Sequence, residues 1–346
     1  MTDRHSREFG HLPVLAQEAV EALALKAGET YVDATMGGGG YTRMMLDHTD
    51  CQVIAFDRDP AATKAAEVWS HEYADRLHIV QRPFAEMATA LAALDVAQVH
   101  GVVMDLGVSS LQLDEGARGF SFRHDGPLNM RMDQQSTLDA TELLNKADEK
   151  DLADIFYIYG EEKKSRIAAR EIVRVRQDNP ISTTGQLRDI LEHVLGPQGR
   201  EKIHPATRIF QAIRIFVNDE LGQLAKGLLA AERVLVDAGR LAVVTFHSLE
   251  DRVVKRFLAQ RSALQQPGSR HMPDISLNSP KPTFSLLSRR PVTASDQEVQ
   301  TNPRARSAKL RAALRTDAVA GDAGPDFLRS IGLPQPVFST ALRNWS

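Results

Sequence analysis

The feature that most constrains this chain is one run near its start, Thr30 to Tyr41, which reads T-Y-V-D-A-T-M-G-G-G-G-Y. Thr30 to Thr35 has the pattern of a short strand, glycines follow from Gly37 to Gly40, and a helix opens at Tyr41. A strand that runs through glycines into a helix is the opening unit of a parallel α/β sheet, with a ligand cradle at the strand's carboxyl end. Glycines there let backbone amides approach a ligand, and the helix N-terminus adds the positive end of its dipole. A second strand pattern, Gln52 to Asp57, ends on an acid twenty positions past Gly37. A carboxylate placed there can accept both hydroxyls of a ribose.

Two ligand classes suit this outline. A dinucleotide site asks for G-x-G-x-x-G, whose spacing serves a pyrophosphate. Gly37 and Gly39 supply the first two glycines, but Thr42 stands where the third belongs. Asp33, on the strand just before the turn, would repel a pyrophosphate and suits the ammonium of a methionine moiety. Both departures favour S-adenosylmethionine over a nicotinamide dinucleotide.

Strand and helix go on alternating. Asp59-Pro60 reads as an N-cap with proline in the first turn. Leu77 to Gln81 is a third strand, and Gly101 to Gly107 a fourth, apolar throughout and so expected at the centre of a parallel sheet. From Asp114 to about Pro205 no buried strand pattern occurs; four helical patterns run between Leu138 and Val194, punctuated by Gly126-Pro127, Asn179-Pro180 and Gly196-Pro197. Alternation resumes with a helical stretch from Thr207 to Val236, a fifth strand from Gly239 to Phe246 and a helix from Leu249 to Gln260. Ser262 to Pro303 reads as a long loop and Ser307 to Leu314 as a last strand. The expected architecture is α/β: a Rossmann-like sheet built from residues 1–113 and 206–315, an inserted all-α domain over 114–205, and a loosely ordered extension over 316–346.

Net charge is −3, but its distribution is uneven. Between Arg252 and Arg315 thirteen lysines and arginines stand against three acids. A basic segment in an acidic chain is the footprint of a phosphate-backbone partner. Cys51 is the single cysteine, which excludes an internal disulfide and a cysteine-built zinc site and suits a reducing cytoplasm. No stretch approaches the roughly 20 apolar residues of a membrane span, and the charged first ten residues do not read as a secretory signal.

At this point the motifs identify a family. The first motif is the run His11 to Leu15 (HLPVL). It is followed in order by Asp33 to Tyr41, Phe56 to Pro60 (FDRDP), Asp105 to Gln112 (DLGVSSLQ), Arg118 to Asp133, His204 to Leu221, Phe246 to Lys255 (FHSLEDRVVK) and Asn302 to Leu310 (NPRARSAKL). Together they resemble the bacterial 16S ribosomal RNA (cytosine, N4)-methyltransferases, from His11 to about Arg315. The resemblance implies a class I methyltransferase fold with an inserted helical domain that recognises substrate, and S-adenosylmethionine as cofactor. It assigns cofactor contacts to Gly39, Gly40 and Tyr41 in the turn, Asp57 at the ribose, Phe84 near the adenine, and Asp105 and Gln112 near the methionine end. The substrate it implies is a cytosine in the decoding region of 16S rRNA within the small ribosomal subunit, methylated on its exocyclic amine in the cytoplasm. A homodimer is compatible with it.

The lone pair of a cytosine amine is delocalised into the ring, so an enzyme must hold the amine with acceptors and aim it at the sulfonium methyl. The cofactor carries the electrophile and no metal is required. The Asp/Asn-Pro-Pro-aromatic loop common among amine methyltransferases does not occur; Asp105-Leu-Gly-Val-Ser109-Ser110 takes its place after the fourth strand. Loops at the carboxyl ends of adjacent strands meet over the ligand, so the acceptors are sought among Asp105, Ser109, Ser110 and His247. His247-Ser248 also has the form of a helix cap. Phe120 and Phe122 read either as base-stacking residues or as core.

Overall fold

A computed structural model of the chain describes residues 13–196, 204–262, 281–321, 323–339 and 342. They form two compact units, residues 1–107 with 221–333, and residues 108–220 with 334–346.

The first unit is a mixed α/β sheet. Its strands are β1 (Thr30–Asp33), β2 (Gln52–Phe56), β3 (Leu77–Val80), β4 (Val99–Asp105), β5 (Leu235–Thr245), β6 (Phe284–Leu286), β7 (Val292–Thr293) and β8 (Lys309–Arg315). The order is β3-β2-β1-β4-β5-β8-β6, with β7 also beside β8. The five strands from β3 to β5 are parallel, whereas β8 runs antiparallel to β5. Successive side chains point to opposite faces. Val32, Ile54, Met104 and Leu241 therefore join one buried cluster with Phe257, while Tyr31, Val53, Val103 and Ala242 join another with Leu23 and Met45. Both faces are covered, which is why β4 shows no polar alternation. The order reverses on either side of β1 and β4, so the carboxyl ends of these strands border the crevice where such sheets bind ligands.

Two expectations for the C-terminal part are corrected. The stretch 281–303, expected as loop, holds β6, β7 and the helix Asp296–Thr301; strands of three and two residues are held by pairing to β8 and are too short to show a period. Residues 263–280 of that loop lie outside the described residues. Nor are the described residues 323–333 loose. The helix Pro325–Ser330 packs on the helix Ser248–Arg261 through Phe327, whose ring centre is 6.1 Å from that of Phe257. Ile331 is fully buried, and the Arg261 guanidinium stands 4.0 Å over the Phe327 ring.

The second unit is helical, with helices Ala140–Lys146, Glu149–Gly160, Ser165–Asp178, Thr184–Leu195 and Ala206–Val217. The boundary expected at 205 shifts to 220, because the apolar face of Ala206–Val217 (Ile209, Phe210, Ile213) completes this unit's core with Leu143 and Phe156. Gly160 permits the approach: a Cβ there would lie 2.6 Å from the Arg208 carbonyl oxygen. Buried Leu342 belongs to the same core. Phe120 is buried, and Phe122 packs at 4.8 Å from His204 and 4.9 Å from Phe210, so both phenylalanines serve packing. Arg214 donates two hydrogen bonds to Glu220, at 2.7 and 2.8 Å.

Candidate active site

The glycine turn is held from both sides. Gly39 is the N-cap of the helix Gly40–His48 at φ 84°, a left-handed conformation that favours glycine. A Cβ on Gly39 would lie 2.2 Å from the Trp69 indole, and one on Gly40 would lie 2.8 Å from the Pro13 ring. These glycines thus allow close packing as well as the turn. Tyr41 is buried, and its hydroxyl donates to the Val14 carbonyl. Its ring is part of the core, which leaves only its backbone amide, in the first helical turn, for a ligand. The N-terminal Pro13-Val14 segment therefore fastens the turn's helix to the sheet.

Asp33 ends β1 fully buried. Its Oδ2 accepts from Thr42 Oγ1 at 2.6 Å and its Oδ1 from the Thr35 amide at 3.1 Å. Thr42, the residue that breaks the dinucleotide pattern, thus pins the acid that makes the turn unsuitable for a pyrophosphate. Thr35 Oγ1 in turn accepts from the Asp105 amide at 2.6 Å, linking the ends of β1 and β4. After β2, Asp57 Oδ2 accepts from the Gly37 amide and Oδ1 from the Asp59 amide, both at 2.8 Å. The ribose acid therefore also shapes the glycine turn.

Burial pushes the Asp33 and Asp57 carboxyls up to about 6, against the hydrogen bonds each accepts. Asp105 is driven well above the ordinary carboxylate range by burial, then by the nearby charges of Asp33 and Glu250. Its Oδ1 is buried and makes no hydrogen bond among the described residues. An orphaned carboxylate oxygen is costly unless a donor or cation arrives to meet it. The three strand-end carboxyls form no ion pair among the described residues, so the site suits a cation.

Phe84 follows β3 in a short 3-10 turn and lies against Gly227, where a Cβ would come within 2.4 Å of its ring. His247 follows β5 as the N-cap of the helix Ser248–Arg261. Its Nδ1 accepts from the Glu250 amide at 3.4 Å, while Glu250 Oε2 accepts from the amides of Phe246 (2.8 Å) and His247 (3.2 Å). His247 Nε2 lies 3.1 Å from Glu250 Oε1. The first unit thus gathers Gly39, Gly40, Asp57, Phe84, Asp105 and His247 at the carboxyl ends of its strands. Ser110 and Gln112 belong to the second unit, in the helix Ser110–Asp114. There Gln112 Oε1 accepts from the Ser109 amide at 3.1 Å and Ser109 Oγ from the Gln112 amide at 3.3 Å, so the Gln112 carbonyl is used in capping.

Sequence reading passed over Thr35, Thr42 and Glu250 as parts of this site. Thr42 was legible as a hydroxyl nine positions after Asp33 in the first turn of the helix. Glu250 carried the signature of a capping box, three residues after its cap, but nothing to place it near Asp105.

The model of the MraW methylase family matches residues 8–316. The chain belongs to that family. It is similar to the ribosomal RNA small subunit methyltransferase H of Nitrobacter winogradskyi, 55% identical over 91% of this chain and 94% of that protein. It is also similar to that of Maricaulis maris, 49% identical over 93% and 96%. A solved rRNA methylase from Streptococcus thermophilus is 9% identical over 87% of this chain and 94% of that one, with a TM-score of 0.39, too remote to bear on the site. Among the described residues no cation pairs with the strand-end acids, an arrangement suited to the cationic methyl donor of a methylase.

Proposed function

We propose that this methylase transfers the methyl group of S-adenosylmethionine to the N4 amine of a cytosine in the decoding region of small-subunit ribosomal RNA, in the cytoplasm. The observation that carries the cofactor is the buried, unpartnered Asp105 Oδ1 beside Asp33, because the donor brings a sulfonium and an ammonium to a site rich in carboxylates. The 49–55% identical relatives named for the small ribosomal subunit support the RNA substrate. When bound, S-adenosylmethionine supplies an electrophilic methyl group.

The chain's own residues do the rest. First-turn amides at Gly40 and Tyr41 offer unpaired donors. Asp57 keeps lone pairs for ribose hydroxyls after accepting its two backbone bonds. Phe84 flanks the adenine, and Asp105 takes the methionine ammonium. His247, after β5, is the acceptor proposed to orient the amine. The helical unit recognises the RNA around the target base, which leaves any stack before reaction.

Small ribosomal subunits lacking the modification, incubated with methyl-labelled cofactor, are expected to yield N4-methylcytidine on nucleoside mass spectrometry. Label on naked DNA, or on ribosomal protein instead, would refute the reading.

A further inference from the structure

The basic residues between Arg252 and Arg315 divide by what holds them. Lys309 and Arg311 are bound by Asp251 at 2.9 and 2.7 Å. Arg315 is buried and donates to the carbonyls of Glu232, Thr283, Thr316 and Ala318. Arg261 lies 3.1 Å from Glu232 and stacks on Phe327. These cations serve the fold. The basic segment is therefore a smaller footprint than its sequence suggests.

Arg289 and Arg290 are different. β6 ends with Leu286 opposite Ala313, and β7 begins with Val292 opposite Leu310. Residues 287–291 thus face only Arg311 and Ala312 and bulge from the outer edge of the sheet, with both arginines exposed. A bulge by itself blunts an edge. It does not account for two adjacent guanidiniums, which repel each other and form no ion pair among the described residues. Lys255, exposed and likewise without such a partner, lies one turn past Asp251. Asp251 reaches the stretch of β8 along which the bulge and β7 run, and Lys255 lies on the helix that Asp251 ties to that stretch. That stretch begins at Lys309 beside Thr245, the carboxyl end of β5, which is the ligand edge.

We infer that Lys255, Arg289 and Arg290 form a phosphate-binding track along which the RNA backbone runs to the methyl-transfer edge. Guanidiniums match phosphate with paired donors, and the track rests on the RNA reading of the proposed function. Binding of a fluorescent single-stranded RNA, followed over a salt series, tests it. Each phosphate contact on a single strand contributes about 0.7 to the slope of log affinity against log salt. The triple variant Lys255→Gln, Arg289→Gln, Arg290→Gln is expected to lower that slope by about two and low-salt affinity by about tenfold or more. Cofactor affinity by calorimetry should stay unchanged, and Arg289→Lys with Arg290→Lys should retain the slope. Unchanged slope and affinity in the triple variant, while the wild type still methylates small subunits, would overturn the track and leave the function standing. A wild-type protein that neither binds nor methylates RNA would overturn both.

Discussion

Asp105 and Asp251 stand near the carboxyl ends of adjacent strands, and burial raises both carboxyls. One nevertheless ends well above the ordinary carboxylate range and the other below it. Their company differs. Asp105 faces the charges of Asp33 and Glu250. For Asp251, hydrogen bonds and charge from Arg311 and Lys309 outweigh the effect of burial. Folding has closed one set of charges on itself and left the other open. The open set is complementary to a ligand, because like charges held together are stabilised only by something brought from outside.

Removing each acid should therefore have opposite consequences. Asp251→Ala leaves Arg311 and Lys309 without their carboxylate and is expected to cost about 3 kcal/mol of folding stability, the scale for breaking a largely buried pair, with cofactor affinity unchanged in calorimetry. Asp105→Asn should leave denaturant stability equal or higher, since it removes a repelled charge, while cofactor binding weakens. Asp57→Ala should likewise weaken cofactor binding, in each case by about 1.5–3 kcal/mol, as for a lost charge-assisted hydrogen bond. A destabilised Asp105→Asn protein with normal cofactor affinity would erase the distinction between the two sets.

Acidity sharpens the contrast without mutation. Asp33 and Asp57 have folded-state values of about 6 against an ordinary 3.8. The folded protein thus holds more protons than the unfolded chain between about 4 and 6. Their contribution to stability is fully present below about 4 and is lost as pH rises through 6. Affinity for a cationic cofactor moves the other way, weakening as pH falls from 7 to 5 and these carboxylates lose charge. The Asp251 contribution has the third pattern: it is present above 3.8 and lost as pH falls below it. Calorimetric titration and urea unfolding over the same pH series test this, and cofactor affinity independent of pH would remove the acid set from binding.

The open set was largely legible in the sequence; the closed one was not. Asp33, the glycines and Asp57 lie within one strand–turn–helix–strand unit, so their spacing along the chain fixes their spacing in the fold. The partners of Asp251 lie 58 and 60 positions away, and no local pattern announces them. That is why a count of basic residues overstated the surface available to RNA. The same holds for β6 and β7, whose existence depends on β8. Tyr41 shows a related limit. Its place beside the turn suggested a ligand contact, and only the packing of the upstream Val14 against it reveals a core ring.

His247 is the smallest and most divided case, since capping and chemistry use different atoms of one ring. Nδ1 accepts from the Glu250 amide, as a cap should, whereas Nε2 lies beside Glu250 Oε1. His247→Ala removes both nitrogens and is expected to cost about 1 kcal/mol of stability, the usual value of an N-cap. His247→Asn restores a capping oxygen and still lacks Nε2, so it should recover that stability. If the ring serves the cap alone, methyl transfer by the Asn variant in single-turnover experiments on small subunits should stay within about threefold of wild type, well short of what a general base supplies. That is the outcome the observed capping box favours, because Glu250 accepts the amides of Phe246 and His247 in return and so fixes the loop with no help from Nε2. A fall of 10²-fold or more in a fully stable Asn variant, in the ~10²–10⁴ range of acid–base groups, would instead give Nε2 to the amine and add His247 to the open set.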